Sequence, residues 1–500
     1  MFTLILSWRE LTIEERRRLK TTELIRMIMN IGQKIKQVFP DIAILKDQDN
    51  YSVFNGRNLP SFVKDFLIRK HIDSDGNLNK DAIFAFLDNH IPDDNNVVKN
   101  RLLRQEQVQL LTRFIITTDI KGGKVRFAIP DAGIKSNEAI IPDYIVSQHR
   151  DDLVDGEKWG VIKLIYIPPM GKEKGCIELA DYKPFRPYKV DLRHFQDCRK
   201  QFTTEEWIDV LLSAMEYNPN SFNGITQKME FLTRLLIFVE PRLNMIELAP
   251  KGTGKSYVFG NLSKYGWLVS GGKVSRAKLF YDKSRQQPGI MKNYDFVTFD
   301  EIQTIIFQDP PEMQAILKSY LEAGNATVDN YKFLSECSTM LMGNIDLTRE
   351  NLPRNNTYFS QLPDSFRESA LLDRFHGFIE GWHLPRMNKS MILKDWTLNV
   401  EYFSEVLHLL RTAPEYSMLV NEVIYSEEKS DLRDLKAVQR IAAAYSKLLF
   451  PHITNVEELN KDEFRIYCLY PAVHRRKIIK EQCHNIDEEF KDYMPEIRLK

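Results

Sequence analysis

The sequence predicts an α/β fold with a nucleotide-binding core and a helical lid, preceded by a helical segment and a β-rich module. Three short, mostly apolar runs indicate the core, and each ends in glycine or polar residues; they span residues 245–248, 295–299 and 339–342. Because open α/β sheets bind ligands outside the carboxyl ends of their strands, we expect the ends of the three runs to lie together.

The loop after the first run has the composition of a phosphate-binding loop. Its predicted ATP-binding residues are Gly252, Thr253, Gly254, Lys255 and Ser256. The glycines let backbone N–H groups turn inward around the phosphates, the lysine supplies a charge for the β and γ groups, and the serine hydroxyl is a ligand for Mg²⁺. Ala249 stands where the motif usually has its first glycine, so the alternative is an ordinary strand-to-helix turn.

The other two runs supply the remaining groups of a hydrolytic site. Asp300 is predicted to hold Mg²⁺, and Glu301 to polarise a water for attack on the γ-phosphate. Asn344 is predicted to orient that water. The alternatives are that the acidic pair only caps a following helix, which the helix dipole would favour, and that Gly343 and Asn344 form a turn.

Two arginines further along the chain are candidates for the transition-state charge. Arg374 is flanked by apolar residues that anchor it while its guanidinium projects into a neighbouring subunit's site, where such a finger contributes about 10³ to 10⁵ in rate. Arg433 opens a long amphipathic helix and is predicted to reach the γ-phosphate from a lid. The alternative for Arg374 is a surface ion pair, either between Asp373 and Arg374 or involving Arg367, which would contribute little. The alternative for Arg433 is a solvated side chain.

The order of these motifs resembles that of the AAA+ ATPases, specifically their Lon and minichromosome-maintenance branches. A closer resemblance, dense over residues 230–385, is to the BrxL family of Lon-related AAA+ proteins from BREX phage-defence systems. It is carried by segments 246–250, 265–267, 270–274, 276–282, 287–289 and 299–304. The resemblance implies a ring-forming ATPase, expected to be a hexamer in single or stacked rings, which couples ATP hydrolysis to translocation or remodelling of duplex DNA and acts with other BREX proteins.

The resemblance also implies a role for each matched residue. Lys255 and Ser256 would bind the nucleotide phosphates and the metal, and Asp300 and Glu301 the metal and the hydrolytic water. Asn344 would be the sensor, Arg374 the finger that acts in trans and Arg433 the second sensor. Larger relatives end in a Lon-type protease-like domain with a Ser and Lys dyad. This sequence has no Ser-Ala-Gly nucleophile setting, so protease activity is not expected. A Lon-like protein unfoldase or remodeler is the alternative function.

Affinity for duplex DNA has to come from local basic patches, because 69 basic and 69 acidic residues give a net charge of zero. Residues 327–334 resemble the pore-lining hairpin of minichromosome-maintenance rings, and Lys332 at its tip is the first candidate for a phosphate contact. A second candidate row, equally consistent with an intersubunit contact, consists of Lys273, Arg276 and Lys278. The basic runs at residues 16–20 and 474–480 are more typical of solvated helix faces.

Changes in pattern divide the sequence into five predicted regions. These are a helical N-terminal region at 1–95, a β-rich OB-like domain at 96–200, the α/β core at 201–385, a helical lid at 386–455 and a helical tail at 456–500. In the second region, four strand-like runs with Gly122 and Gly123 at a hairpin turn indicate a small barrel or sheet. Such a module suits nucleic-acid strand binding or serves only ring packing.

The remaining composition argues against several classes of protein. Five scattered cysteines without a Cys-x-x-Cys pair fit a reducing cytosol and argue against a zinc or disulfide framework. The apolar run at residues 2–8 is too short to span a membrane and lacks the basic leader of a signal peptide. We therefore expect a cytoplasmic protein with no membrane segment and no metal other than Mg²⁺.

Overall fold

The computed structural model has a mixed α/β fold, which confirms the predicted class. It describes residues 30–56, 59–73, 77–91, 95–119, 122–150, 153, 156–171, 174–185, 189–284, 287–328, 330–426 and 432–500. The apolar run at 2–8 and the basic run at 16–20 lie outside these residues. Within the described ranges, no helix combines the length and the apolar character needed to cross a bilayer.

The first described segment consists of short helices and one short strand. In chain order these are α1 (Ile31–Val38), β1 (Ala43–Leu45), α2 (Gln48–Tyr51), α3 (Ser61–His71), α4 (Lys80–His90) and α5 (Asn95–Leu103). β1 pairs antiparallel with residues 396–398, far downstream in the sequence. Ile44 and Leu398 belong to the same buried hydrophobic cluster, so an early and a late segment of the chain share one core.

A closed barrel follows. Its described strands are β2 (Val108–Asp119), β3 (Lys124–Ala128), β4 (Ala139–Ile141), β5 (Gly156–Ile167) and β6 (Cys176–Pro184), with α6 (Asp143–Gln148) between β4 and β5. The order around the barrel is β2–β3–β4–β6–β5, and β5 pairs back onto β2. β4 and β6 are parallel, and the other neighbours are antiparallel. Phe114, Phe127 and Leu179 belong to a buried cluster that is separate from the rest of the core, so the barrel has an interior of its own.

The next region is built around a parallel sheet. Its strands are β7 (Asn244–Ala249), β8 (Gly266–Val274), β9 (Tyr281–Asp282), β10 (Gln287–Pro288), β11 (Phe296–Phe307), β12 (Asn325–Val328), β13 (Tyr331–Leu334), β14 (Ser338–Asn344) and β15 (Gly377–Glu380). The sheet has the order β15–β7–β14–β11–β8, while β9 with β10 and β12 with β13 form two hairpins. Every residue of β7 is buried, as expected for a central parallel strand covered on both faces.

Helices precede and connect these strands. They are α7 (Leu192–Arg199), α8 (Thr204–Ala214), α9 (Gly224–Leu232), α10 (Leu236–Val239), α11 (Lys255–Asn261), α12 (Arg276–Leu279), α13 (Ile290–Asn293), α14 (Pro310–Ala323) and α15 (Ser369–Leu372). α14 shows how the local sequence sets its bounds. The Asp309 side chain accepts a hydrogen bond from the backbone N–H of Glu312, Pro310 occupies the first helical position, and Gly324 ends the helix with a φ of +69°.

The last part of the described chain is mostly helical. It contains β16 (Trp396–Leu398), α16 (Val400–Arg411), α17 (Glu415–Val423), β17 (Ile424–Ser426), α18 (Leu432–Leu449), α19 (Lys461–Phe464), α20 (Tyr470–His484) and β18 (Ile497–Leu499). A π-helical turn at Arg465–Leu469 joins α19 to α20. α18 buries Val438, Ile441 and Tyr445 on the apolar face that the sequence predicted.

The basic run at residues 474–480 is not the solvated face that its composition predicted. Arg475 donates hydrogen bonds to both carboxylate oxygens of Glu230, and Arg476 donates to Asp434 at 2.8 Å and to Asp373 at 2.5 Å. Both guanidinium groups are buried. A guanidinium remains charged when it is buried, and the paired carboxylates offset the cost of removing it from water, so these two arginines connect α20 to the segments that carry their partners.

Candidate nucleotide-binding site

The predicted phosphate-binding loop connects β7 to α11. β7 ends at Ala249 and α11 begins at Lys255, so the glycines lie in the turn between strand and helix. Gly252 has a φ of +81° and Gly254 a φ of +77°, a region of backbone conformation that side chains with a Cβ rarely adopt. The glycines are therefore required by the shape of the loop.

A buried arginine holds this loop from below. Arg234 is fully buried, and it donates two hydrogen bonds to Glu247 on β7, at 2.9 and 2.6 Å. Its third contact is the backbone carbonyl of Thr253, which accepts from Nη1 at 2.8 Å. Sequence reasoning missed this arginine. The available signal was Glu247, because a carboxylate inside an apolar central strand needs a buried partner.

Lys255 lies at the first position of α11 with 9 % of its surface exposed. Burial lowers the pKa of its ammonium group below the usual lysine value. Its Nζ donates hydrogen bonds to the backbone carbonyls of Ala249 at 3.2 Å and Pro250 at 3.5 Å. A buried cation that contacts neutral carbonyls at the edge of a loop is well placed to bind an anion.

Ser256 connects the loop to the acidic strand end. Its Oγ donates a hydrogen bond to Oδ2 of Asp300, the last residue of the first, regular half of β11. Asp300 is buried, whereas Ser256 is exposed. A hydroxyl and a carboxylate oxygen that meet beside a phosphate-binding loop are ligands of the kind that Mg²⁺ takes, so the two residues fit the predicted metal.

Glu301 occupies a bulge rather than a helix start. The register between β8 and β11 shifts between Asp300 and Ile305, and Glu301 has a φ of +49°. Its backbone N–H donates to Asp300 Oδ1 at 2.9 Å, and its carbonyl accepts from Thr304 Oγ1 at 2.9 Å. The chain then continues as a strand to Phe307, so the helix-cap alternative is wrong. A left-handed residue at a bulge is a strained arrangement that often marks a functional site.

Gln303 links this bulge to Asn344. Its Nε2 donates to the Asn344 carbonyl at 2.8 Å, and its Oε1 accepts from the Asn344 N–H at 3.3 Å. Asn344 also lies in register with Ala249, where β7 leads into the loop. The three strand ends therefore meet at one edge of the sheet, as the sequence predicted. The role of Gln303 was not predicted, since its partner is distant in the sequence.

Arg374 and Arg433 belong to a second cluster. Arg374 pairs with Glu322 on α14 at 3.2 Å, and Arg433 pairs with the same carboxylate oxygen at 3.0 Å. Arg433 also donates to Asp373, which pairs in turn with Arg476. The surface pairing of Arg374 with Asp373 that the sequence left open is replaced by the pair with Glu322. Arg433 is paired with two carboxylates, so the alternative of a simply solvated arginine is wrong.

Two family models match the chain and together cover most of it. The model described as "Lon-like protease BrxL-like, ATPase domain" matches residues 177–496, and the model described as "BREX system Lon protease-like protein BrxL N-terminal" matches residues 37–166. The chain belongs to the BrxL family. The gap between the two matched BrxL segments lies between β5 and β6, so the barrel is shared by both.

Two curated BrxL relatives give the same result. "Lon-like protease BrxL" from Escherichia coli O9:H4 (strain HS) is 29% identical over 456 residues, which are 90% of this chain and 64% of the relative. "Lon-like protease BrxL" from Bacillus cereus (strain H3081.97) is 26% identical over 465 residues, 91% of this chain and 67% of the relative. This chain therefore spans about two thirds of the length of these BrxL proteins.

The candidate DNA contacts of this BrxL-family chain lie on the hairpin β12–β13, on β8 and on α12, which carries Arg276 and Lys278. Lys332 on β13 is exposed but pairs with Thr327 on β12, so it is beside the hairpin turn and not at its tip as predicted. The reason is that the strand pairing continues beyond Lys332 to Tyr331, which pairs with Val328. Lys273 is exposed on β8, whereas Arg276 pairs with Glu312 at 2.5 Å, which partly neutralises it.

Proposed function

We propose that this chain is an AAA+ ATPase that hydrolyses ATP with Mg²⁺. The observation that carries the proposal is the hydrogen bond from Ser256 to Asp300, because it joins the phosphate-binding loop to the acidic strand end. A parallel sheet whose strand ends carry Lys255, Asp300 and Asn344 is the arrangement in which P-loop ATPases act. The match to a BrxL ATPase domain supports the same conclusion.

Each side chain then has one task. Lys255 exchanges its carbonyl contacts for the β- and γ-phosphates. Ser256 and Asp300 hold Mg²⁺, which offsets the negative charge on the phosphate oxygens. Glu301 accepts a proton from the attacking water, and Asn344 orients that water through its side-chain amide. The two hydrogen bonds between the Gln303 side chain and the Asn344 backbone keep Asn344 at a fixed distance from the bulge that carries Glu301.

We also propose that a neighbouring protomer completes the site. Arg374 reaches the γ-phosphate of the adjacent subunit in a ring, which we expect to be hexameric. Within one chain, Arg374 is partly neutralised by Glu322, and the phosphate offers it a stronger partner. Because Arg433 shares that carboxylate, the two arginines are proposed to approach the same phosphate from the lid side.

The proposed substrate of the ring is duplex DNA, translocated or remodelled in the cytoplasm during BREX phage defence with other BREX proteins. The hairpin β12–β13 presents the exposed Lys332, and the non-sequential order of the barrel strands fits the predicted OB-like module, a fold that binds nucleic acids. The description of the N-terminal family model supplies the BREX association.

The Lon-like protein remodeler is less well supported by the side chains. A remodeler presents aromatic residues to a threaded polypeptide, and Phe280 and Tyr331 are the candidates in this chain. Phe280 is fully buried. Tyr331 is stacked on Tyr281 with ring centroids 4.0 Å apart. The hairpin instead exposes Lys332, which favours a phosphate backbone as the partner.

The test is phosphate release by the purified protein in the presence of ATP. We expect turnover that requires Mg²⁺, is abolished by EDTA and rises when duplex DNA is added. A protein that binds ATP and DNA but releases no phosphate would contradict the ATPase proposal. Turnover that ignores duplex DNA, together with unchanged DNA mobility in a gel, would contradict the DNA proposal alone.

A further inference from the structure

A stripe of polar side chains runs along one face of α16 and is turned toward the interior of the protein. It consists of Glu401, Ser404, Glu405 and His408, which follow one another at three- and four-residue spacing and so share a face of the helix. Glu401 and Ser404 are fully buried. The stripe contacts residues 263–265, the connection between α11 and β8. None of the roles proposed above uses these groups.

Every residue of this connection contacts the stripe. The Ser263 and Ser404 hydroxyl oxygens lie 2.9 Å apart, and the Tyr265 hydroxyl donates to Glu405 Oε1 at 2.9 Å. The Tyr265 ring is also stacked on His408, with ring centroids 3.9 Å apart. α16 therefore holds the segment that directly follows the helix of the phosphate-binding loop.

Lys264 lies at the centre of these contacts. Its Nζ is 2.5 Å from Glu401 Oε1 and 2.5 Å from Glu405 Oε1, and it donates to the backbone carbonyl of Phe185 at 2.9 Å. The lysine side chain is 9 % exposed, so the contacts are largely shielded from water. Phe185 directly follows β6 of the barrel. One ammonium group therefore joins the barrel end, the connection after α11 and α16.

Two carboxylates share this one ammonium group, so the cluster carries an excess negative charge when both are ionised. Oε2 of Glu401 is buried, and no residue that the structure describes donates a hydrogen bond to it. Burial raises the pKa of Glu401 to about 7; the Lys264 ammonium opposes that rise, and the Glu405 carboxylate adds to it. A proton on Glu401 removes the excess charge and gives its carboxyl group a hydrogen to donate to Glu405.

The other charged groups that face α16 from neighbouring elements have partners of their own. Asp65 on α3 accepts hydrogen bonds from Lys46 and, at 2.9 Å, from the first backbone N–H of α16. Asp295, just before β11, lies 2.6 Å from His408 Nδ1 and 3.8 Å from Arg411. Within the described part of the chain, Lys264 is thus the cation that pairs with Glu401.

We propose that Lys264, Glu401 and Glu405 form a proton-sensitive lock that joins the barrel and the α/β core to α16. When Glu401 holds a proton, the cluster is neutral and the three segments are fastened together. When Glu401 releases its proton to solvent, the buried excess charge is relieved by opening of the cluster, which admits water to both carboxylates. The lock contains none of the proposed nucleotide-binding residues, so it operates whether or not the chain hydrolyses ATP.

The closed lock binds this proton more tightly than the open one, and this sets the direction of the pH effect. In the closed state the pKa of Glu401 is about 7, against 4.5 for an ordinary glutamate in water. The stabilisation by the proton is complete below the ordinary pKa and is lost as the pH rises through the raised one. The equilibrium constant for opening should therefore rise about tenfold between about pH 6 and pH 8.

Hydrogen–deuterium exchange on the full chain measures this opening when each rate is divided by the intrinsic rate at the same pH. In the unsubstituted protein we expect the amides of residues 263–266 and 402–405 to lose about tenfold in protection between about pH 6 and pH 8. Glu422→Gln, at an exposed carboxylate on α17, is the matched control and should lose protection to the same extent. Equal protection of the unsubstituted protein at the two pH values would overturn the lock.

Two single substitutions test whether the proton is shared by the two acids. Glu401→Gln keeps the shape of the protonated carboxyl group, so both segments should be protected equally at the two pH values. Glu405→Gln leaves one carboxylate for one ammonium group, so the pKa of Glu401 should fall and the change with pH should again disappear. A tenfold loss that persists in either variant would overturn the proposal, because the pH dependence would then come from another group.

Discussion

Arg374 and Arg433 meet at one carboxylate oxygen, Oε2 of Glu322, with nitrogen–oxygen distances of 3.2 and 3.0 Å. Both guanidinium groups are thus oriented within their own chain by a residue of α14. An arginine that acts on another subunit's phosphate has to leave such a partner. Because the Glu322 side chain is 46 % exposed, breaking its ion pair costs little free energy.

Arg374→Ala should reduce ATP turnover by about 10³-fold or more, because the transition-state charge loses its guanidinium. The measurement is steady-state phosphate release. Arg367→Ala is the control, since Arg367 is a half-exposed arginine that pairs with Asp364; its turnover should match wild type. A mixture of Arg374→Ala with Lys255→Ala protein should regain activity where an intact finger meets an intact loop. A mixture as inactive as its components would argue against action in trans.

Glu301→Gln should bind ATP normally and hydrolyse it about 10²- to 10⁴-fold more slowly, because the amide cannot accept the proton of the attacking water. The left-handed backbone at this position is unchanged by the substitution, so folding should be unaffected. Single-turnover assays and size-exclusion chromatography with ATP measure the two effects, and ATP-bound rings should accumulate. Glu336→Gln, at a mostly exposed carboxylate, is the control. Unchanged turnover in Glu301→Gln would remove Glu301 from the role of base.

Arg234→Met should lower the free energy of unfolding by about 3–5 kcal/mol, because it leaves the Glu247 carboxylate buried without its partner. Urea denaturation measures the change. The double variant Arg234→Met/Glu247→Leu should recover most of the stability but not the affinity for ATP, since the Thr253 carbonyl still lacks its donor. If the double variant binds ATP like wild type, Arg234 serves stability only and does not position the loop.

Lys332→Ala should weaken binding of duplex DNA and leave ATP turnover without DNA unchanged. Loss of one phosphate contact per subunit should also make the dependence of affinity on salt less steep. Fluorescence anisotropy at several salt concentrations measures both. Lys477→Ala is the control because Lys477 is comparably accessible on α20, where it pairs with Glu481. Equal DNA affinity in the two variants would exclude the hairpin as the binding surface.

The sequence was sufficient to predict the edge of the sheet where the site lies. Asp300 directly follows an apolar run, Asn344 lies two positions after another, and Lys255 ends the loop that follows the first. The geometry of parallel sheets brings such positions together. The positive φ angles of Gly252 and Gly254, which the loop requires, could also be predicted from the local sequence. These features depend on neighbours in the chain, which a motif records.

What the sequence did not predict depends on partners far apart in the chain. The contacts of Arg234 with Thr253, of Gln303 with Asn344 and of Arg433 with Glu322 carry no local signature. The prediction of a solvated helix face at residues 474–480 was wrong for a related reason, because composition gives the number of charges but does not show which of them are buried. The bulge at Glu301 was also hidden, since a strand that resumes after an irregular turn resembles a strand that has ended.

The pairing of β1 with β16 orders events during synthesis. The three residues of β1 leave the ribosome long before Trp396–Leu398, their partner strand, has been made. At roughly 5–20 residues per second, on the order of 20–70 s separate the two. During that interval Ile44 has no native neighbour from the late segment. The apolar residues of β1 therefore remain open to association with other chains until residues 396–398 have been synthesised.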